Sequence, residues 1–257
     1  MDKSHYLPVA WPDNSLDEPQ RVKGVTTLTT GGISIDAYRE FNLATHVGDD
    51  PDAVRANRIT LSKEQSLPAE PLWLNQVHSN RVVYADGPEY SDPLKTPDIQ
   101  ADAAISRARG IVCSVMTADC LPVFFCNRAV TEVAVAHAGW RGLHAGIISN
   151  TVAAMRSPAD EIVVYLGPAI GPQAFEVGMD VFRAFSEKNI SNESAFIATS
   201  DGHYLCDIYQ LARIELWALG INQISGGDHC TFTDERRFYS YRRQAKTGRM
   251  ANLIWLS

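Results

Sequence analysis

Four short runs, Ile111 to Met116, Val123 to Cys126, Glu132 to Ala136 and Ile162 to Leu166, constrain this chain more than any other feature. Each is rich in apolar or β-branched residues, and together they read as strands of a buried sheet. After His137, the turn Gly139-Trp140-Arg141-Gly142 opens a helix in which Leu143, Ile147, Ile148, Val152 and Met155 recur at helical spacing. His137 and Arg141 then lie near a helix N-terminus, where backbone N–H groups favour an anion. Asp207 suits the N-cap of a second helix with Ile208, Leu211, Ala212, Leu216 and Leu219 on one face and Gly220 as its stop. Asp201-Gly202 between two apolar runs reads as a hairpin turn. Strands and helices mix without strict βαβ alternation, so the expected class is α+β rather than a Rossmann fold.

No Pro/Gly/Ser-rich linker divides the 257 residues, and one domain over 1–257 is expected. The segment Tyr84 to Gln100, with Gly87, Pro88, Pro93 and Pro97, reads as a long loop placed to cover a site.

Cys120 and His137 each sit where an apolar run ends, and strand ends are where open sheets present ligands and reactive groups. A free cysteine by itself reads as core. Here Asp119 precedes the thiol, and Gly139, Trp140, Arg141 and Gly142 follow the imidazole, which packing does not require. Were His78 to join them, two imidazoles and one thiolate would form a borderline-soft set. That set suits zinc and leaves one tetrahedral position open, the pattern of a catalytic site. The separations are long, so spacing alone identifies no site, and the lack of a CxxC pair argues against a zinc finger or ribbon. A metal-free alternative makes Cys120 a nucleophile with His137 or His78 as general base.

Several further motifs occur in order: Phe41-Asn42-Leu43, His46-Val47-Gly48-Asp49-Asp50-Pro51, Asn57-Arg58, Gly167-Pro168-Ala169-Ile170-Gly171 and Phe238-Tyr239-Ser240-Tyr241-Arg242-Arg243. With Gln76-Val77-His78 and the Cys120 and His137 motifs, they resemble the YfiH family, also called the laccase-domain or multicopper polyphenol oxidase family. The resemblance runs from about residue 24 to the C-terminus. It implies a layered α/β sandwich with mixed sheets and one metal on His78, Cys120 and His137. It also implies zinc-dependent phosphorolysis of adenosine, inosine or methylthioadenosine, with adenosine deamination in the same site. Asn42 and Arg58 are implied in the substrate site, and Arg242 and Arg243 are favoured as anion contacts. Asp119 and Arg141 are candidates to complete the pocket.

The resemblance also brings alternatives. Bacterial relatives have been given a second role, removal of L-serine from a UDP-MurNAc peptidoglycan precursor, and amide hydrolysis suits the same three residues. A copper polyphenol oxidase holding several coppers would need more than the seven histidines present. Copper in the single site in vitro accords with its tighter binding to such ligands. A non-catalytic metal-binding module is the last alternative. The chain departs from many relatives at Thr29, where they carry arginine, and at Gln244, where they carry aspartate, positions that bear on anion or ribose binding.

A net charge of −7 argues against general affinity for nucleic acid or anionic membrane, and the partners that the resemblance implies are nucleoside and phosphate. Gly167 to Pro172 is not a Walker loop, because no Lys-Ser or Lys-Thr follows. Met1 to Ser15 has no apolar leader pattern, and no run approaches the ~18 apolar residues of a membrane span. With five cysteines in no framework spacing, a cytoplasmic protein is expected.

Overall fold

The computed structural model describes residues 5–87, 90, 98–200 and 202–257. Strands β1 (Tyr6–Pro8) and β2 (Val22–Thr27) lead into helix α1 (Pro51–Glu64). Then come β3 (Val82–Tyr84), β4 (Ala103–Ser106), β5 (Cys113–Thr117), β6 (Leu121–Asn127), β7 (Val133–Ala138), α2 (Trp140–Ala145), α3 (Ile147–Ala154) and β8 (Ile162–Leu166). The chain continues through β9 (Glu176–Gly178), α4 (Met179–Lys188), β10 (Phe196–Ser200), β11 (His203–Cys206), α5 (Ile208–Ala218), β12 (Gln223–Gly226) and β13 (Met250–Leu256).

The strands form three sheets. A six-stranded sheet runs β12-β8-β6-β7-β4-β3, parallel at its two outer pairs and antiparallel within. A four-stranded antiparallel sheet runs β1-β2-β13-β5, and a smaller antiparallel sheet runs β10-β11-β9.

Alternation along β6 explains the layering. Leu121, Val123 and Phe125 enter a core shared with Leu143, Ile147 and Ile148 of the following helices and Leu211 and Leu216 of α5. Phe124 and Cys126 point the other way, into a core with Cys113, Val115 and Ile254 of the four-stranded sheet. Because β6 is buried on both faces, its sequence is continuously apolar instead of alternating. On the far side of the four-stranded sheet, Leu253 and Trp255 pack with Phe41, Leu43 and Leu61 of α1. Helices, two sheets and α1 therefore stack as one layered α+β domain.

Strand β8 coincides with the run read from sequence, and Asp207 caps α5 by accepting from the Gln210 N–H. Gly220, at φ +90°, ends that region as expected. The single helix expected over Leu143 to Met155 is two: Gly146 adopts φ +89° and separates α2 from α3. Strands β10 and β11 pair as a hairpin with Gly202 at φ +76°, while Asp201 lies outside the described residues. Much of the expected Tyr84–Gln100 loop, residues 88–89 and 91–97, also lies outside them. Among the described residues, no helix is long and apolar enough to cross a membrane.

Candidate active site

Four neighbouring strands of the six-stranded sheet deliver the site to the same end of the sheet. Cys120 immediately precedes β6, and the β6–β7 register sets His137 opposite Pro122. Asp102 immediately precedes β4, whose Ala103 pairs with Ala136 of β7. His78 sits in the segment entering β3, the next strand across. Residues far apart in sequence thus meet because the strand order is β6-β7-β4-β3. His78 and Asp119 both hold positive φ, +58° and +96°, in a region where non-glycine residues are uncommon.

One donor atom from each of His78, Cys120 and His137 lies within 4.8 Å of the others. His78 Nε2 is 3.9 Å from Cys120 Sγ, and the two imidazoles meet edge to face at 4.8 Å between centroids. Asp102, fully buried, anchors both histidines. Its Oδ1 accepts from His137 Nδ1 at 2.8 Å and from the His78 backbone N–H at 3.0 Å. Its Oδ2 accepts from the Ser79 N–H and hydroxyl at 2.6 and 2.7 Å.

The charges follow from this packing. Burial opposes ionisation of Asp102, but the hydrogen bonds from His137 and Ser79 overcome it and hold the carboxyl at about 2. Burial likewise opposes the Cys120 thiolate, yet the His137 charge and hydrogen bonds from both histidines lower the thiol to about 6. His137 is raised to about 9 against its own burial by Cys120 and Asp102.

The donor set fits a single metal ion. A Cβ at Gly139 would stand 2.8 Å from Cys120 Sγ and 3.2 Å from the His78 ring, so only glycine leaves the space beside the donors open. With Nδ1 bound to Asp102, His137 offers Nε2, the orientation metal-bound histidines take from a carboxylate behind them.

These donors lie on the wall of a cavity of about 420 Å³. Its wall also carries His46, Trp140, Arg141, Phe175, Tyr241, Arg242 and Arg249. Among the described residues Asp119 is the one carboxylate in that wall, and both its oxygens are engaged. Oδ1 accepts from Thr231 Oγ1 at 2.6 Å; Oδ2 accepts from Ser240 Oγ at 3.0 Å and the Arg242 N–H at 2.7 Å. Asp119 therefore ties the segment 231–242 to the turn bearing Cys120. Arg141 lies 4.3 Å over the Trp140 ring, and Arg242 donates to the Glu176 carbonyl.

The remaining expected residues lie outside this wall. Asn42 is fully buried; its amide donates to Ala44 O and Asp49 Oδ2, and its carbonyl accepts from the Ala44 and Arg249 N–H groups. Its link to the cavity is its hold on Arg249. Arg58 donates twice to Leu43 O, stacks 4.0 Å over Trp73, and lines an adjoining cavity that shares His46 and Met116 with the first. Arg243 donates to the carbonyls of Thr231, Phe232 and Phe238, pinning its own loop. Thr29 and Gln244, the two departures, line a separate small cavity together. Sequence reasoning misses Asp102, places His46 only within a motif, and gives Arg249 no role of its own. Asp102 has a local signal, a single charged residue in the otherwise uncharged stretch Ile99 to Ile105.

A family model described as multi-copper polyphenol oxidoreductase laccase matches residues 23–257. The chain is 48% identical over 246 residues to the purine nucleoside phosphorylase YfiH of Escherichia coli, covering 96% of each. It is 47% identical over 248 residues to a protein of Pseudomonas aeruginosa also named purine nucleoside phosphorylase, covering 96% of this chain and 98% of that one. The crystal structure of a Neisseria meningitidis protein superposes with a TM-score of 0.91 at 46% identity, covering 99% of this chain and all of the other.

Proposed function

The chain belongs to the multi-copper polyphenol oxidoreductase laccase family, and from that membership we propose that it is a metal-dependent purine nucleoside phosphorylase. The observation that carries this reading is the sign of the cavity wall. Arg141, Arg242 and Arg249 face the same space as the His78–Cys120–His137 cluster, and the only carboxylate there among the described residues is fully engaged. A wall of that charge suits an oxyanion co-substrate.

Phosphorolysis breaks the bond from C1′ to the base nitrogen and forms a bond from C1′ to a phosphate oxygen, while negative charge grows on the departing purine. The arginines hold phosphate against the anomeric carbon, since guanidinium N–H groups match phosphate oxygens. Ile170, Phe175 and Tyr241 offer the purine an apolar and aromatic surface. Asp119 keeps the 231–242 segment in place, and Asp102 fixes the tautomer and direction of His137. His78, Cys120 and His137 would hold zinc, which supplies a Lewis acid and, with water, the means for a second activity, deamination of adenosine. Three donors make one site; in this reading copper is an alternative occupant of it and not the basis of a multicopper oxidase. The five free cysteines accord with a cytoplasmic setting.

A second reading has its own observation: Asp102, His137 and Cys120 follow one another as orienter, base and nucleophile do in cysteine hydrolases. Chromatography of adenosine, inosine and methylthioadenosine reactions with and without phosphate separates the two. A phosphorylase releases base only with phosphate and yields the pentose 1-phosphate, and inosine from adenosine reports deamination. Metal-independent turnover abolished by alkylating Cys120 would replace the first reading with the second. Elemental analysis should find about one zinc per chain, lost in Cys120→Ala.

A further inference from the structure

The three arginines of the cavity are held in different ways. Arg141 is exposed and lies over the ring of its neighbour Trp140. Arg242 is exposed, 5.5 Å from the Phe175 ring, with one nitrogen on the Glu176 carbonyl. Arg249 is half-buried and anchored at both ends. Its backbone N–H donates to Asn42 Oδ1 at 3.0 Å, and its Nη1 donates to Thr247 O and Gly248 O at 2.9 and 3.0 Å.

Among the described residues, neither Nε nor Nη2 of Arg249 has a hydrogen-bond partner. Strand register explains its position: β13 pairs Met250 with Thr117 of β5, which sets Arg249 beside the turn Ala118-Asp119-Cys120. Its charge is felt by Cys120 and Asp119 and, on its other side, by His46. It makes no ion pair with Asp119, whose oxygens are committed to Thr231, Ser240 and the Arg242 N–H. An anchored guanidinium with two free donors, aimed into a cavity beside a metal-ligand cluster, is built to receive a second ligand. Little side-chain freedom remains to be lost on binding.

We propose that Arg249 is the anchor of a tetrahedral-oxyanion subsite, with His46 beside it and Arg141 and Arg242 closing over the bound anion from the rim. This deepens the phosphorylase reading and rests on it for the identity of the anion as phosphate. The same chemistry serves either free phosphate or the phosphoryl group of a nucleotide, and the two are separable by experiment.

The test uses the metal-loaded enzyme and its Arg249→Met and Arg249→Lys variants, the second retaining charge without the fork. Binding of inorganic phosphate, followed by calorimetry without nucleoside, should weaken about tenfold or more in Arg249→Met and by less in Arg249→Lys. In turnover, the phosphate KM should rise by a similar factor, with nucleoside KM and zinc content within about twofold. Phosphate binding at wild-type strength in both variants overturns the subsite. A loss of nucleoside affinity as large as that of phosphate affinity also overturns it. If base release proves independent of phosphate, the phosphorylase reading fails, but an Arg249-dependent phosphate affinity still upholds the subsite. Faster base release from adenosine 5′-monophosphate than from adenosine, reversed in Arg249→Met, would uphold the subsite with the substrate's own phosphoryl group as its occupant.

Discussion

His137 donates from Nδ1 to Asp102 Oδ1 at 2.8 Å, which leaves Nε2 as the only ring nitrogen it can turn toward the cavity. Since Asp102 also holds the His78 backbone, one carboxylate sets two of three donors. Asp102→Asn should weaken zinc binding by about 10–100-fold, as loss of the carboxylate behind a metal-bound histidine generally does. Competition against a chromogenic chelator measures this, and wild-type affinity in the variant would refute the role.

Gly139→Ala tests the donor space directly. The backbone there, at φ −63°, accepts alanine, so the fold should persist. The new methyl meets Cys120 Sγ at 2.8 Å, closer than real contacts allow. Zinc content should fall well below one per chain with little change in thermal stability. Full occupancy would show that the cluster opens elsewhere.

Cysteine reactivity should sort by environment in metal-stripped protein. Against their burial, Cys120 is lowered to about 6 by the His137 charge and hydrogen bonds from both histidines, and Cys230 is lowered by hydrogen bonds. Burial pushes Cys126 up to about 12 and raises Cys113 and Cys206 as well. At pH 7, iodoacetamide should modify Cys120 and Cys230 and spare the other three, because the thiolate is the reactive form. Zinc should then protect Cys120 alone. Peptide mass spectrometry reads each site, and equal labelling of all five would contradict the packing.

Acid stability should depend on Glu132. This buried carboxylate accepts the N–H groups of Arg156 and Ser157 at 2.8 to 3.0 Å and pairs with Arg107 at 3.1 Å. Burial raises its pKa, but these partners outweigh burial and the net shift is downward. A lowered folded-state pKa gives stability that is complete above the unfolded value of about 4.3 and is lost as pH falls through the lower folded value. Glu132→Gln should therefore be less stable than wild type at pH 7, by about 1.5–3 kcal/mol. The gap should narrow on acidification below about pH 4. Denaturant melts at several pH values test it, and a gap that widens on acidification would be the wrong sign.

His46 lies between Arg249 and Arg58, and burial together with both cations lowers its pKa. Removing either cation favours the imidazolium, so Arg58→Met and Arg249→Met should each raise the His46 pKa, the second more. Histidine NMR titration follows this, and no change in either variant would remove the electrostatic link between the two cavities.

The strands β5 to β8 were legible because short apolar runs are a local signal, and Cys120 and His137 stand out at the ends of such runs; His78 joins them only through the family resemblance, since the separations by themselves identify no site. The break at Gly146 was not legible, since the apolar spacing continues through it and only the φ of one glycine interrupts the helix. Asn42 and Arg58 carry motif-like signatures, yet their polar atoms mainly hold backbone, a use that sequence spacing does not distinguish from ligand contact. Arg249 reads in sequence only as one of several neighbouring basic residues. Its place beside Cys120 depends on the pairing of β13 with β5, a contact between distant parts of the chain.

That pairing also orders events during synthesis. Strand β13 lies between β2 and β5, so β2 has no inner neighbour until residues 250–256 arrive, more than two hundred residues after it. The six-stranded sheet, drawn from residues 82–226, can close while those residues are still inside the ribosome. The early strands meanwhile wait with an open hydrogen-bonding edge, which is where a nascent chain is most exposed to pairing with the wrong neighbour.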